Sequence, residues 1–179
     1  MGRKNEESET QQAWRTSPNV VNPLLEPDMD AELAKMYRDD FREFIEPNLV
    51  IRNKWGQIVP FRMNRAQRMV YRLIQKIRSQ GKPVRLIILK ARRIGFSMAI
   101  QVVGFHRCVF RQNHSALVVA HLKQAAERIS KYSQRFNAHI PAALPFLSGV
   151  RDKTGDIVWR NGSSFRVETA GSKDALRSD

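Results

Sequence analysis

The chain has 179 residues, 42% hydrophobic and 27% charged, with one cysteine and a formal net charge of +14. A single cysteine, Cys108, excludes an internal disulfide, no apolar run approaches the roughly 18 residues a membrane span needs, and no signal-peptide core opens the chain. The expectation is a soluble intracellular protein, not membrane-bound, with one α/β domain large enough to bury a core.

The charge is unevenly placed. Residues 1–46 carry a balance of −5, and residues 47–179 carry +19. A domain that basic repels itself and usually faces a polyanion, with nucleic acid the leading candidate. A merely well-solvated surface is the plainer alternative.

Residues 1–29 are polar, hold Pro18, Pro23 and Pro27, and read as a flexible N-terminal arm. Over 30–47, Leu33, Met36, Tyr37, Phe41, Phe44 and Ile45 follow helical spacing up to Pro47, giving an amphipathic helix with an acidic outer face. It is expected to pack on the main domain, which spans 48–179. Leu49–Phe61 reads as two short strands around an Asn53-Lys-Trp-Gly56 turn. Asn64 with Gln67 three residues on forms a capping box. Met69, Val70, Leu73, Ile74 and Ile77 give the following helix its stripe, and Gly81 ends it. Val84–Leu89 is mostly apolar, as expected of a strand buried on both faces.

A helix is predicted over 97–111, a second buried strand at Ser115–Ala120, and a further helix from Leu122 to about Asn137. Asn161-Gly162 between alternating runs predicts a hairpin within 157–169. Strand, loop, helix, strand, helix is the order of a mostly parallel sheet flanked by helices.

The chemistry concentrates in Lys90-Ala-Arg-Arg-Ile-Gly-Phe-Ser97, placed between a predicted strand and a helix. A phosphate loop reads G-x-x-x-x-G-K-[ST]: backbone amides wrap the phosphates, lysine supplies charge and the hydroxyl binds Mg²⁺. Gly95 fits the second glycine and Ser97 the hydroxyl, whereas Lys90 replaces the first glycine and Phe96 the usual lysine. A lysine at the start of such a loop can still point its ammonium at the phosphates, and the next helix aims its positive end there. The plainer alternatives stay open: Lys90 as a solvated residue, Gly95 as a turn glycine, Ser97 as a helix N-cap.

These residues resemble the deviant Walker A loop of large terminase subunits, the ATP-driven motors that package double-stranded DNA into phage procapsids. Two further segments resemble that family: Pro60–Gln67 upstream, and Gly171-Ser-Lys-Asp-Ala-Leu-Arg177 downstream. The resemblance covers roughly residues 48–179 and implies an incomplete P-loop NTPase domain of the RecA/ASCE type, using ATP and Mg²⁺. It implies that Lys90 neutralises β/γ-phosphate charge and that Ser97 holds Mg²⁺. Backbone amides of Arg93, Ile94, Gly95, Phe96 and Ser97 would cradle oxygens, beside Arg92. Gln67 would meet the adenine edge, with its capping role as the alternative, and Arg177 would be the candidate arginine finger.

By the same resemblance the partners are double-stranded DNA, the small terminase subunit, the capsid portal and further copies in a ring, in the host cytoplasm. No apolar strand ending in an acidic pair lies between Gly95 and Asp179, so the chain reads as the front of a longer protein, stopping before Walker B and any nuclease domain. Little hydrolysis and poor folding are therefore expected of these residues alone. Two rival readings are a helicase-like translocase, which would keep its lysine at Phe96, and a non-catalytic basic DNA-binding module.

The remaining polar residues are less informative. The four histidines show no metal-ligand spacing with Cys108. His121 ends a strand, Cys108 reads as a core residue, and Trp55 and Trp159 read as packing aromatics.

Overall fold

Short-range hydrogen bonding and apolar spacing dictate most of the local elements. A computed structural model describes residues 29–91, 94–140, 147–151 and 156–170. The single helix expected over 30–47 is two helices, α1 (Met29–Asp39) and α2 (Phe41–Asn48). Asp40 interrupts them: its backbone is extended and its carboxylate accepts from the amides of Arg42 and Glu43, at 2.8 and 3.3 Å. That is an N-cap, which restarts the helix. Pro47 does not end α2 either. It comes one residue before the end of the helix, and Leu49 N–H still closes onto Ile45 O at 3.0 Å.

The amphipathic segment packs on the main domain, as expected. Phe41, Phe44 and Ile45 are buried and share one core with Phe105, Phe136, Trp159 and Phe165. Phe44 meets Phe110 edge-on at 5.1 Å, and Phe41 stacks on Tyr71 at 4.3 Å.

Strands β1 (Val50–Arg52) and β2 (Ile58–Pro60) pair antiparallel, with Val50 opposite Pro60. Asn53 Oδ1 ties the turn by accepting from Trp55 N and Gln57 N, and Gly56 takes a φ of +86°. Helix α3 (Arg65–Ser79) carries the full capping box at Asn64 and Gln67, and Gly81 follows it with a φ of +69°. Its stripe is shallower than the spacing implies. Ile74 is buried, while Met69 and Leu73 stay 67% and 44% exposed.

Val84–Leu89 departs most from expectation. It is not a buried strand: no strand is formed there, and Ile87 and Leu89 are each 96% exposed. Burial on both faces requires a hydrogen-bonded neighbour and covering layers, and among the described residues neither reaches this segment. Val84, Leu86 and Ile88 instead line an open groove of about 750 Å³, with Ala116, Leu117 and Val118 on its other side.

The remaining elements are α4 (Phe96–Phe110), β3 (Ser115–Ala120), α5 (Lys123–Ala138), β4 (Val150–Arg151), β5 (Ile157–Val158) and β6 (Ser164–Thr169). Strands run in the order β3–β6–β5–β4. Among the described residues of this sheet, β3 and β6 pair in parallel, with Ser115 opposite Ser164 and Ala120 opposite Thr169, and β5 pairs antiparallel with both β6 and β4. The fold is α/β with a mixed sheet, not a mostly parallel one, because the Asn161-Gly162 hairpin adds β5 antiparallel. Helices α4 and α5 pack on β3 and β6. Within β3 the pattern alternates: Ala116 and Val118 pack against the core, and Leu117 and Val119 are 48% and 49% exposed. That is the signature of one covered face, not two.

Asn161 does more than turn the hairpin. Its Nδ2 reaches the carbonyls of Cys108, Val109 and Arg111 at 2.8–2.9 Å, satisfying acceptors that the end of α4 leaves open. Trp159 and Cys108 are core residues, as expected. Burial pushes the Cys108 thiol up to about 12, so it is inert as a nucleophile at neutral pH.

His106 joins the aromatic core and bonds through Nε2 to Tyr37 O at 2.8 Å. Burial holds its pKa below the ordinary value; Arg111 and Arg78 add to this, and the Tyr37 bond opposes it. The folded ring is thus harder to protonate than that of the unfolded chain, which titrates near pH 6.5. The unfolded state binds the extra proton, so this contribution is fully present above that pH and is lost as pH falls below it. The urea midpoint is expected to fall between about pH 7 and 5. His106→Gln, which keeps a donor but cannot titrate, is expected to flatten that slope.

Candidate functional site

Helix α4 starts on a glycine for a steric reason. Gly95 is its N-cap and lies in the left-handed region, φ +80° and ψ 19°. A Cβ there would come within 2.8 Å of Gln67 Nε2. Ser97 is therefore not the N-cap. It sits exposed in the first helical turn, beside the buried Phe96.

Two side chains from the head of α3 hold the loop. Gln67 Nε2 donates to Gly95 O at 2.9 Å and to Ile94 O at 3.4 Å, and Asn64 Nδ2 donates to Ile94 O at 3.0 Å. The same two residues also complete their capping box. Asn64 N donates to Gln67 Oε1 at 2.9 Å, and Gln67 N donates to Asn64 Oδ1 at 3.0 Å. Gln67 is 5% exposed, so both amide hydrogens and one oxygen lone pair are engaged within the chain. It faces the loop's carbonyls. Its Nε2 can donate to an adenine edge only by giving up a bond to the loop, which leaves one Oε1 lone pair as its open acceptor.

The carbonyls of Ile94 and Gly95 are held from the α3 side, and Gly95 O also accepts from Ala99 N at 3.2 Å. The amides of Phe96, Ser97 and Met98 belong to the first turn, where no intrahelical acceptor exists. They carry the partial positive charge of the helix start. Lys90 is exposed. Arg92, Arg93 and Arg177 lie outside the described residues. The structure therefore brings together Gln67, Ile94, Gly95, Phe96 and Ser97 from the predicted set, and adds Asn64. Its local capping role hid its reach to a loop thirty residues away.

His121 is exposed. Asp156 pairs with Arg166 at 3.3 Å. Trp55 is 72% exposed, with the Lys54 ammonium 4.3 Å from its ring centroid, so the packing role expected of it is not met. Among the described residues no group of three His, Cys, Asp or Glu side chains is placed to hold a metal, and no helix is long and apolar enough to cross a membrane.

Compared with protein-family models and with curated proteins, the sequence matches none of them. The α/β class with a mixed sheet is established by the structure alone.

Proposed function

We propose that residues 90–97 bind the phosphates of Mg-ATP, and that the chain is the nucleotide-binding front of a DNA-packaging motor of the large terminase type. The observation that carries this reading is the helix start at Gly95. A glycine with positive φ, clamped through its own carbonyl, opens a 15-residue helix next to an exposed hydroxyl. Phosphate oxygens need that combination: no Cβ in the way, several free amides and a positive helix end. In this reading Lys90 supplies the compensating charge from the front of the loop, and the Ser97 hydroxyl ligates Mg²⁺. The metal would bridge phosphate oxygens and offset their charge. Gln67 and Asn64 position the loop.

The charge balance of residues 47–179, +19, suits a partner with a repeating phosphate backbone bound without sequence readout. Double-stranded DNA fits that requirement. In the same reading the chain acts within a ring of copies at a capsid portal, with a small partner subunit. Arg177 serves there as the candidate arginine finger, and residues 1–179 alone bind ATP without appreciable turnover. A helicase-like translocase is disfavoured by Phe96. The lysine such an enzyme needs would stand at a side chain that is 8% exposed and turned into the protein.

Thermal unfolding with and without Mg-ATP tests the proposal. Ligand at a hundred times its Kd is expected to stabilise the chain by about 2.7 kcal/mol, visible as a raised Tm. Lys90→Ala, at an exposed position, is expected to leave the unliganded Tm unchanged and to abolish most of the shift. If Mg-ATP leaves the Tm unmoved, or shifts the Lys90→Ala chain equally, the reading of a non-catalytic basic DNA-binding module prevails.

A further inference from the structure

The C-terminal ends of α3 and α4 both line the open groove. Arg78 comes from the last turn of α3 and Lys82 follows that helix; Arg107 comes from the last turn of α4, and Arg111 lies just beyond it. All four line the groove together with His114. Each cation taken singly offsets the negative end of a helix. Their convergence asks for more. Among the described residues the ion pairs are Arg38–Asp39, Arg42–Glu46 and Arg166–Asp156, and none involves these four. Arg107 Nε is buried with no hydrogen-bond partner among the described residues.

A guanidinium cannot relieve such crowding by shedding its proton at any working pH. Arg78 is disfavoured in its charged form, chiefly by burial and then by Arg111. The cost passes to groups that can titrate. The His114 pKa is lowered, first by burial and then by Arg111 and Arg78. A bound anion with several acceptor oxygens would offset the repulsion, and forked Arg donors are well matched to one.

We propose that this part of the groove is a phosphate-binding site formed by Arg78, Arg107 and Arg111, with Lys82 at its rim. It is separate from the loop at Gly95, because α4 lies between them. At about 1.5 Å per residue, that helix alone sets the two roughly 22 Å apart. One nucleotide cannot occupy both. The phosphate comes either from a nucleic-acid backbone or from a free phosphate ion.

His114 provides the readout. In the full 179-residue chain, its imidazole signals followed by NMR against pH give its pKa without and with inorganic phosphate, chloride holding the ionic strength constant. Phosphate is expected to raise that pKa saturably, and in a Lys90→Ala background equally, which separates this site from the ATP loop. Arg111→Gln and Arg78→Gln are each expected to raise it without phosphate and to weaken the phosphate response. A short DNA duplex that displaces phosphate, and whose affinity loses about one unit of salt slope per arginine removed, assigns the backbone as the source. A phosphate response that the duplex does not disturb assigns the free ion. If phosphate moves His114 no more than chloride does, the site does not exist.

Discussion

Truncating Phe105 to alanine is expected to cost the chain about 3–5 kcal/mol, the range for removing a large aromatic from a core. Phe105 has no exposed surface and joins elements from across the chain. Its ring meets Phe136 of α5 edge-on at 5.7 Å and Trp159 at 5.3 Å. The cavity left behind would face side chains held by other contacts: Trp159 is fixed through Nε1 to Leu147 O at 3.0 Å. It cannot collapse cheaply. Since small domains have only about 5–15 kcal/mol of net stability, the variant should be largely or wholly unfolded in mild urea. Urea unfolding followed by tryptophan fluorescence checks this. A loss under 1 kcal/mol would mean that Phe105 is not at the centre of the core.

The second large effect is expected at Gly95, and it is a coupled one. Gly95→Ala places a Cβ in the left-handed region, costing about 1–2 kcal/mol. It also forces the Gln67 amide away from a position 2.8 Å from that Cβ. Gln67→Ala removes the loop clamp and half of the capping box, about 0.5–2 kcal/mol by analogy with other caps. Because each substitution disturbs the same contact, the double variant is expected to lose less than the sum, with a coupling of about 0.5–3 kcal/mol. Mg-ATP binding should weaken in all three variants, since the loop's carbonyls are no longer held. Strict additivity in a double-mutant cycle would show that Gln67 and Gly95 do not touch.

Features whose partners lie within a few residues were legible along the chain. The Asn64–Gln67 box, the Asn53–Gly56 turn and the Asn161-Gly162 hairpin all form as expected, because their hydrogen bonds close over two to four positions. Gly95 was legible as a loop or turn glycine, but the sequence offered Ser97 as the helix N-cap, and the structure gives that place to Gly95. Apolar periodicity also located α4, β3 and α5 to within a residue or two.

Tertiary structure decided what those local features serve. Gln67 and Asn64 turn from a cap into a clamp on Ile94 and Gly95, and Asn161 reaches back to the end of α4. Val84–Leu89, apolar enough for a central strand, lies unpaired beside a groove, since strand pairing is conferred by a neighbour and not by the run itself. Likewise the arginines at 78, 107 and 111 are ordinary helix-end cations in the sequence. Only the fold, which lines one groove with the ends of both α3 and α4, turns them into a cluster, because electrostatic cost depends on distances in space that no spacing along the chain records.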